Sequence, residues 1–141
     1  MDRGTIWRVW LPLVVGLWAL GWVFQFGPGP HGLARSIGLL LGLIGLGGVI
    51  LARYTLGRSF SVTAKATALV TTGIYSRIRN PIYISGEICL AGLVLILWRL
   101  DLLIILLVIV PVQIIRARRE AAVLEAKFGD AYREYRQRTW F

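Results

Sequence analysis

The sequence predicts an all-α integral membrane protein: four transmembrane helices, a cytoplasmic loop and a helical C-terminal tail. Three observations predict it. Of the 141 residues 57% are hydrophobic, with a mean hydropathy of +0.69. The apolar residues fall in four blocks, roughly Ile6 to Phe26, Ile37 to Ala52, Ile82 to Trp98 and Leu102 to Ile115, against about 17 to 25 residues for a spanning helix. Of the 16 Lys and Arg, 14 lie at the start of the first block, between the second and third, or after the fourth, while Arg35 and Arg99 occupy the other two connections. By the positive-inside rule both termini and the long middle loop are cytoplasmic, in a bacterial-type inner membrane or an endomembrane.

In a soluble protein the formal charge of +9 would suggest nucleic acid. Its placement beside the apolar blocks assigns it to the membrane surface instead, and no nucleic-acid partner is expected. One domain is expected, in three parts: an anchoring helical hairpin (1–52), a basic cytoplasmic loop (53–81) and a second hairpin with its tail (82–141). The first apolar run is too long for a signal-peptide core, and no small-residue cleavage site follows it. Cys89, the single cysteine, lies within a span, which excludes a disulfide framework and a cysteine-based metal site.

The first span carries Trp22, Phe24 and Phe26 at its outer end, as an interfacial belt requires. The Gly-Pro turn after it holds His31, read as a plain loop residue. The second span has Gly38 and Gly42 four apart, then Gly45, Gly47 and Gly48, a spacing that lets helix backbones approach closely in lipid. From Arg53 to Arg79 the chain is polar, basic and without apolar periodicity, a length that marks a functional or disordered loop. Asn80-Pro81 is a helix start, Asn to cap the first turn and Pro at its first position. The third span places Tyr83, Gly86 and Glu87 on one face. An ionisable Glu87 about two turns deep needs an arginine partner, a cavity or a functional site. Trp98, Arg99 and Asp101 form the outer turn. The fourth span contains Pro111, and its helix continues through Leu124 and Phe128 to a stop at Gly129. Arg116 and Glu120 are i, i+4 partners on it. The tail sets Tyr132 and Tyr135 on one face and Arg133, Arg136 and Arg138 toward water, and its terminal aromatics suit a membrane surface.

Two polar patches, Gly73 to Gly86 and Arg116 to Tyr135, thus lie on one side of the membrane. TTGIYSRIRNPIYISG followed, after a hydrophobic hairpin, by RREAAVLEAKFGDAYREY resembles the integral-membrane methyltransferases that include isoprenylcysteine carboxyl methyltransferase and the phospholipid N-methyltransferases. Their pattern is G-x-Y-x-x-x-R-H-P-x-Y-x-x-G, a helical hairpin, then E-E-x-x-L-x-x-x-F-G-x-x-Y-x-x-Y. Gly73, Tyr75, Arg79, Pro81, Tyr83 and Gly86 match the first block; Glu120, Leu124, Phe128, Gly129, Tyr132 and Tyr135 match the second. Asn80 replaces the family's histidine and Ala121 its second glutamate. An amide can make the histidine's hydrogen bonds but cannot accept a proton.

The resemblance implies S-adenosylmethionine as methyl donor and a lipid-like or prenylated acceptor, with carboxylate O-methylation slightly preferred over amine N-methylation because a carboxylate needs no base. It implies a cofactor site formed by Gly73, Tyr75, Arg79, Asn80, Tyr83, Gly86, Glu120, Tyr132 and Tyr135, with Arg79, Asn80, Tyr83 and Glu87 at the reaction. Glu120 would receive the cofactor's ammonium, Arg79 and the helix start its carboxylate, and a tyrosine face its sulfonium. With Ala121 in place of a glutamate, Glu125 or Glu87 is a candidate to share the work of Glu120. Lipid access is expected near the second and third spans. Two alternatives stand beside this reading: a small proton-coupled transporter using Glu87, and a non-catalytic family member that binds cofactor or lipid.

Overall fold

The computed structural model describes residues 3–27, 32–57 and 69–141. His31 and the Ser/Thr/Ala-rich part of the middle loop lie outside the described residues. Among the described residues five α-helices follow in order: α1 (Arg3–Phe26), α2 (Leu33–Leu56), α3 (Pro81–Leu97), α4 (Leu103–Phe128) and α5 (Asp130–Arg138). Short 3-10 turns at Gly73–Ser76 and Leu100–Leu102 introduce α3 and α4. Among the described residues there is no strand, only an isolated parallel bridge between Ile78 and Trp140.

By length and composition α2 is able to cross a membrane; Leu13–Phe26 and α3 are shorter apolar stretches. Large apolar side chains face outward on several helices, among them Trp18 and Trp22 on α1, Leu40, Ile44 and Leu51 on α2, and Ile104, Leu107 and Val108 on α4. In water so much exposed apolar surface would drive association. Hydrocarbon tails are as apolar as leucine, so in a bilayer the same surface is at rest.

Inter-helix packing must then come from close approach, and α2 and α3 supply it. A Cβ built on Gly38 would lie 2.7 Å from the Gly92 carbonyl oxygen, and one on Gly92 2.5 Å from the Gly42 nitrogen. Gly45 lies directly against the backbone of Ser85 and Cys89, and Gly48 against the Ser85 side chain. The glycine spacing of the second span is therefore a packing face. Where Gly38, Gly42 and Gly45 pack, backbones this close leave no room for a lipid chain between α2 and α3.

At the connection of α1 to α2, buried Arg35 in the first turn of α2 reaches back to α1. Its guanidinium donates to the carbonyl oxygens of Val23 (2.9 Å) and Gly27 (3.3 Å) and lies 5.4 Å from the Phe24 ring centre. It gives a second donor to the Val23 carbonyl, which already accepts from the Gly27 N–H at 2.8 Å, and a donor to the Gly27 carbonyl just past the helix, where a cation also complements the helix dipole. The turn between α3 and α4 forms at the expected residues: Trp98 closes α3 in the left-handed region (φ 53°), and Arg99 holds Asp101 by two hydrogen bonds of 2.8 and 2.7 Å.

Helix α2 runs past the expected boundary at residue 52, stopping at Leu56 before Gly57, whose φ of 50° suits glycine. Helix α4 is continuous through Pro111 and beyond the apolar segment to Phe128, where Gly129 (φ 52°) ends it as the sequence indicates. Helix α5 then turns back toward the start of α3.

Candidate functional site

The two sequence patches meet where α3 and α4 emerge from their apolar segments. Tyr83 of α3 donates its hydroxyl to Glu120 Oε1 of α4 at 2.7 Å, and the Arg116 guanidinium lies 5.9 Å from the Tyr83 ring centre. Tyr135 of α5 donates to the Tyr75 carbonyl oxygen at 2.8 Å. Tyr132, 2% exposed, packs beside Tyr135 with ring centres 6.2 Å apart. Residues 37 and 60 positions apart are thus joined by two tyrosine hydroxyls.

Local structure explains several of these positions. Gly73 adopts φ 58°, a left-handed conformation that opens the 3-10 turn, and a Cβ there would press on Thr55 at 3.0 Å. The turn buries Tyr75. Burial pushes the Tyr75 hydroxyl well above the usual tyrosine range, with Tyr135 and Glu120 adding to the shift. The Tyr135 hydroxyl is pushed up to about 12, again chiefly by burial. Both phenols therefore stay protonated at physiological pH, and that of Tyr135 acts as a neutral donor.

Asn80 holds the cap position of α3, but its side chain makes none of the expected cap bonds. The N–H groups of Tyr83 and Ile84 donate instead to the Asn80 main-chain carbonyl, at 3.1 and 3.3 Å. The carbonyl of Phe141 accepts from the backbone N–H of Arg79 (2.9 Å) and of Asn80 (3.0 Å). The Arg79 Nε is buried without a hydrogen-bond partner.

Between α3 and α4 lies a cavity of about 300 Å³. Tyr83, Ile84, Glu87 and Ile88 line it from α3, Val110, Gln113 and Ile114 from α4, and Phe141 borders it. Both Glu87 carboxylate oxygens are buried without a hydrogen-bond partner, so among the described residues the arginine ion pair that would have made Glu87 merely structural is not formed. Glu125, the other candidate to stand in for the missing glutamate, is engaged on the tail by Arg133 at 3.0 Å. At Gly86 a Cβ would meet nothing within 4 Å, which leaves open space beside Tyr83 and Glu87.

Of the sequence-derived residues, the structure joins Tyr83 to Glu120 and Tyr75 to Tyr135 with Tyr132, and sets Glu87 in the cavity that Tyr83 walls. Sequence reasoning missed Gln113 and Phe141. A lone glutamine in an apolar run was a usable signal for the first; nothing local marks the second.

The site is thus a polar, tyrosine-linked cluster adjoining an apolar cavity, in a helical protein whose outer faces are apolar. The phospholipid methyltransferase family model matches residues 33–131, and the chain belongs to that family of membrane methyltransferases. The match runs from α2 into α5 and contains most of both motif blocks. Comparison with curated proteins and with solved structures gives no match.

Proposed function

We propose that this chain transfers a methyl group from S-adenosylmethionine to a hydrophobic, lipid-like or prenylated acceptor at the cytoplasmic membrane face, within a bundle of four spans whose termini are both cytoplasmic. One observation carries the reading. Tyr83 is shared: its hydroxyl is bound to Glu120 in the polar cluster, and its side chain walls the apolar cavity.

The residues fit the cofactor's charges. Arg79 Nε, a buried donor with no partner, suits a carboxylate, and Glu120, one oxygen engaged by Tyr83, suits an ammonium. Bound there, S-adenosylmethionine supplies a sulfonium methyl for in-line displacement. Tyr132 and Tyr135, buried and rigid, form the wall of that pocket, and the open space at Gly86 admits a ligand next to Tyr83. Aliphatic Ile84, Ile88, Val110 and Ile114 receive the acceptor's chain and exclude water, so positioning supplies much of the rate.

Two acceptor chemistries compete. Carboxylate O-methylation needs no base, and the sequence leans that way. The buried oxygens of Glu87 favour an amine instead: they repel an anion, accept N–H donors, and can take the proton that an amine must lose before it attacks. Family membership weighs against the transporter alternative.

The test uses protein in liposomes with methyl-labelled S-adenosylmethionine and two acceptor pools, amine lipids and prenyl-cysteine carboxylates. Label in the amine lipids, falling by about 10²-fold or more in Glu87→Gln, supports the amine reading. Label confined to carboxylates and unaffected by Glu87→Gln supports O-methylation. Label in neither pool overturns the enzymatic reading in favour of a binding protein that has lost activity with Asn80 and Ala121.

A further inference from the structure

The polar backbone after α5 makes a set of bonds that neither the helices nor the proposed chemistry requires. Thr139 leaves α5 with its hydroxyl donating to the Tyr135 carbonyl oxygen at 2.8 Å and is itself buried. The next residues run alongside the segment before α3: the Trp140 N–H donates to the Arg77 carbonyl at 3.1 Å, and the Arg79 and Asn80 N–H groups donate to the Phe141 carbonyl. Phe141 takes a φ of 44°, a region uncommon for a residue with a side chain. The Trp140 side chain, 69% exposed, contributes little to this docking, whereas Phe141 borders the cavity between α3 and α4.

We propose that Thr139–Phe141 is a strap that closes the water-side end of this cavity, with Phe141 as its movable wall. The α3 start sits at the emerging end of the span, and Tyr83, Ile84 and Glu87 follow within two turns, so a residue pinned on the Arg79 and Asn80 N–H groups stands between water and Glu87. The fastening is short and local: a few backbone hydrogen bonds, each of modest net worth because water replaces them when the strap lifts. Such a segment opens at far lower cost than the bundle. The strap therefore meters water and aqueous solutes, while an apolar molecule reaches the same cavity between α3 and α4. Any ligand that places an anionic group on the Arg79 and Asn80 N–H groups must first displace the Phe141 main-chain oxygen.

The experiment reads water access without any enzymatic assay, so it stands or falls separately from methyl transfer. In a Cys89→Ser background, Gln113→Cys puts a thiol in the cavity, and its reaction with a charged, membrane-impermeant maleimide is timed in lipid nanodiscs. Phe141→Ala, and deletion of Trp140 and Phe141, are each expected to speed labelling about tenfold or more, the loss expected when an apolar side chain no longer holds the closed state. Trp140→Ala keeps the backbone bonds and is expected to label at the parent rate. Equal rates in the parent and both Phe141 variants, with thermal unfolding and gel-filtration profiles unchanged, would overturn the proposal; so would a Trp140→Ala rate as fast as that of Phe141→Ala.

Discussion

Tyr83 joins two environments through one side chain, and the reason is its place one turn into α3. Its ring faces the apolar gap toward α4, and its hydroxyl reaches Glu120 at the level where α4 becomes charged. Tyr135 does the corresponding work for the tail, pinning α5 to the Tyr75 carbonyl. That contact predicts a pH dependence. The Tyr135 phenol titrates near the ordinary value of 10 in the unfolded chain and at about 12 in the folded one. The unfolded state therefore releases its proton first as pH rises, and stability, complete below pH 10, falls between pH 10 and about 12. Tyr135→Phe is expected to remove its share of that alkaline loss while costing about 1–3 kcal/mol at neutral pH, because the buried Tyr75 carbonyl loses its donor. Denaturant unfolding of both proteins across this pH range measures it. At this scale the sequence was legible where residue type fixes chemistry, as for Glu120, Tyr132 and Tyr135 on matched helical spacing. It misled at Asn80, whose main-chain carbonyl rather than its side chain accepts from the first turn of α3.

Among the elements, the pairing of α2 with α3 sets the frame. Gly38, Gly42 and Gly45 meet Gly92 and the Ser85–Cys89 turn of α3 with almost no space between backbones, so the pair acts as one rigid slab on which the turn at Gly73 and the first residues of α3 are positioned. Gly92→Val is expected to destabilise by about 1–3 kcal/mol through overpacking. Gly47→Ala, at a position where a Cβ meets nothing within 4 Å, is expected to cost nothing measurable. Thermal unfolding in detergent compares the two. The glycine spacing was readable from sequence because close approach in lipid depends on small residues. Which gap remains open was not, because it depends on the partner face. Glycines facing α3 leave no gap between α2 and α3, and the branched side chains of α4 hold the gap between α3 and α4 apart. Arg35 is a similar case: as a loop cation it only informed topology, whereas in three dimensions it closes the end of α1.

For the whole molecule, chain order explains why a site can form from distant blocks. The hairpin of α3 and α4 returns the chain to the side it left, α4 continues past the apolar segment, and Gly129 turns α5 back over the start of α3. The all-helical architecture and the pairing of the two blocks were legible, since apolar blocks and charged loops alternate along the chain. The docking of Thr139–Phe141 was not, because backbone hydrogen bonds leave no trace in residue type. Titration calorimetry of S-adenosylmethionine and of its demethylated product into the detergent-purified protein tests the proposed site at its source. Micromolar binding is expected, weakened at least about tenfold in Glu120→Gln, where the ammonium loses its charged partner, and less in Tyr83→Phe. Absence of binding at millimolar cofactor by folded protein, or equal affinity in Glu120→Gln, would contradict a cofactor site built on Tyr83 and Glu120.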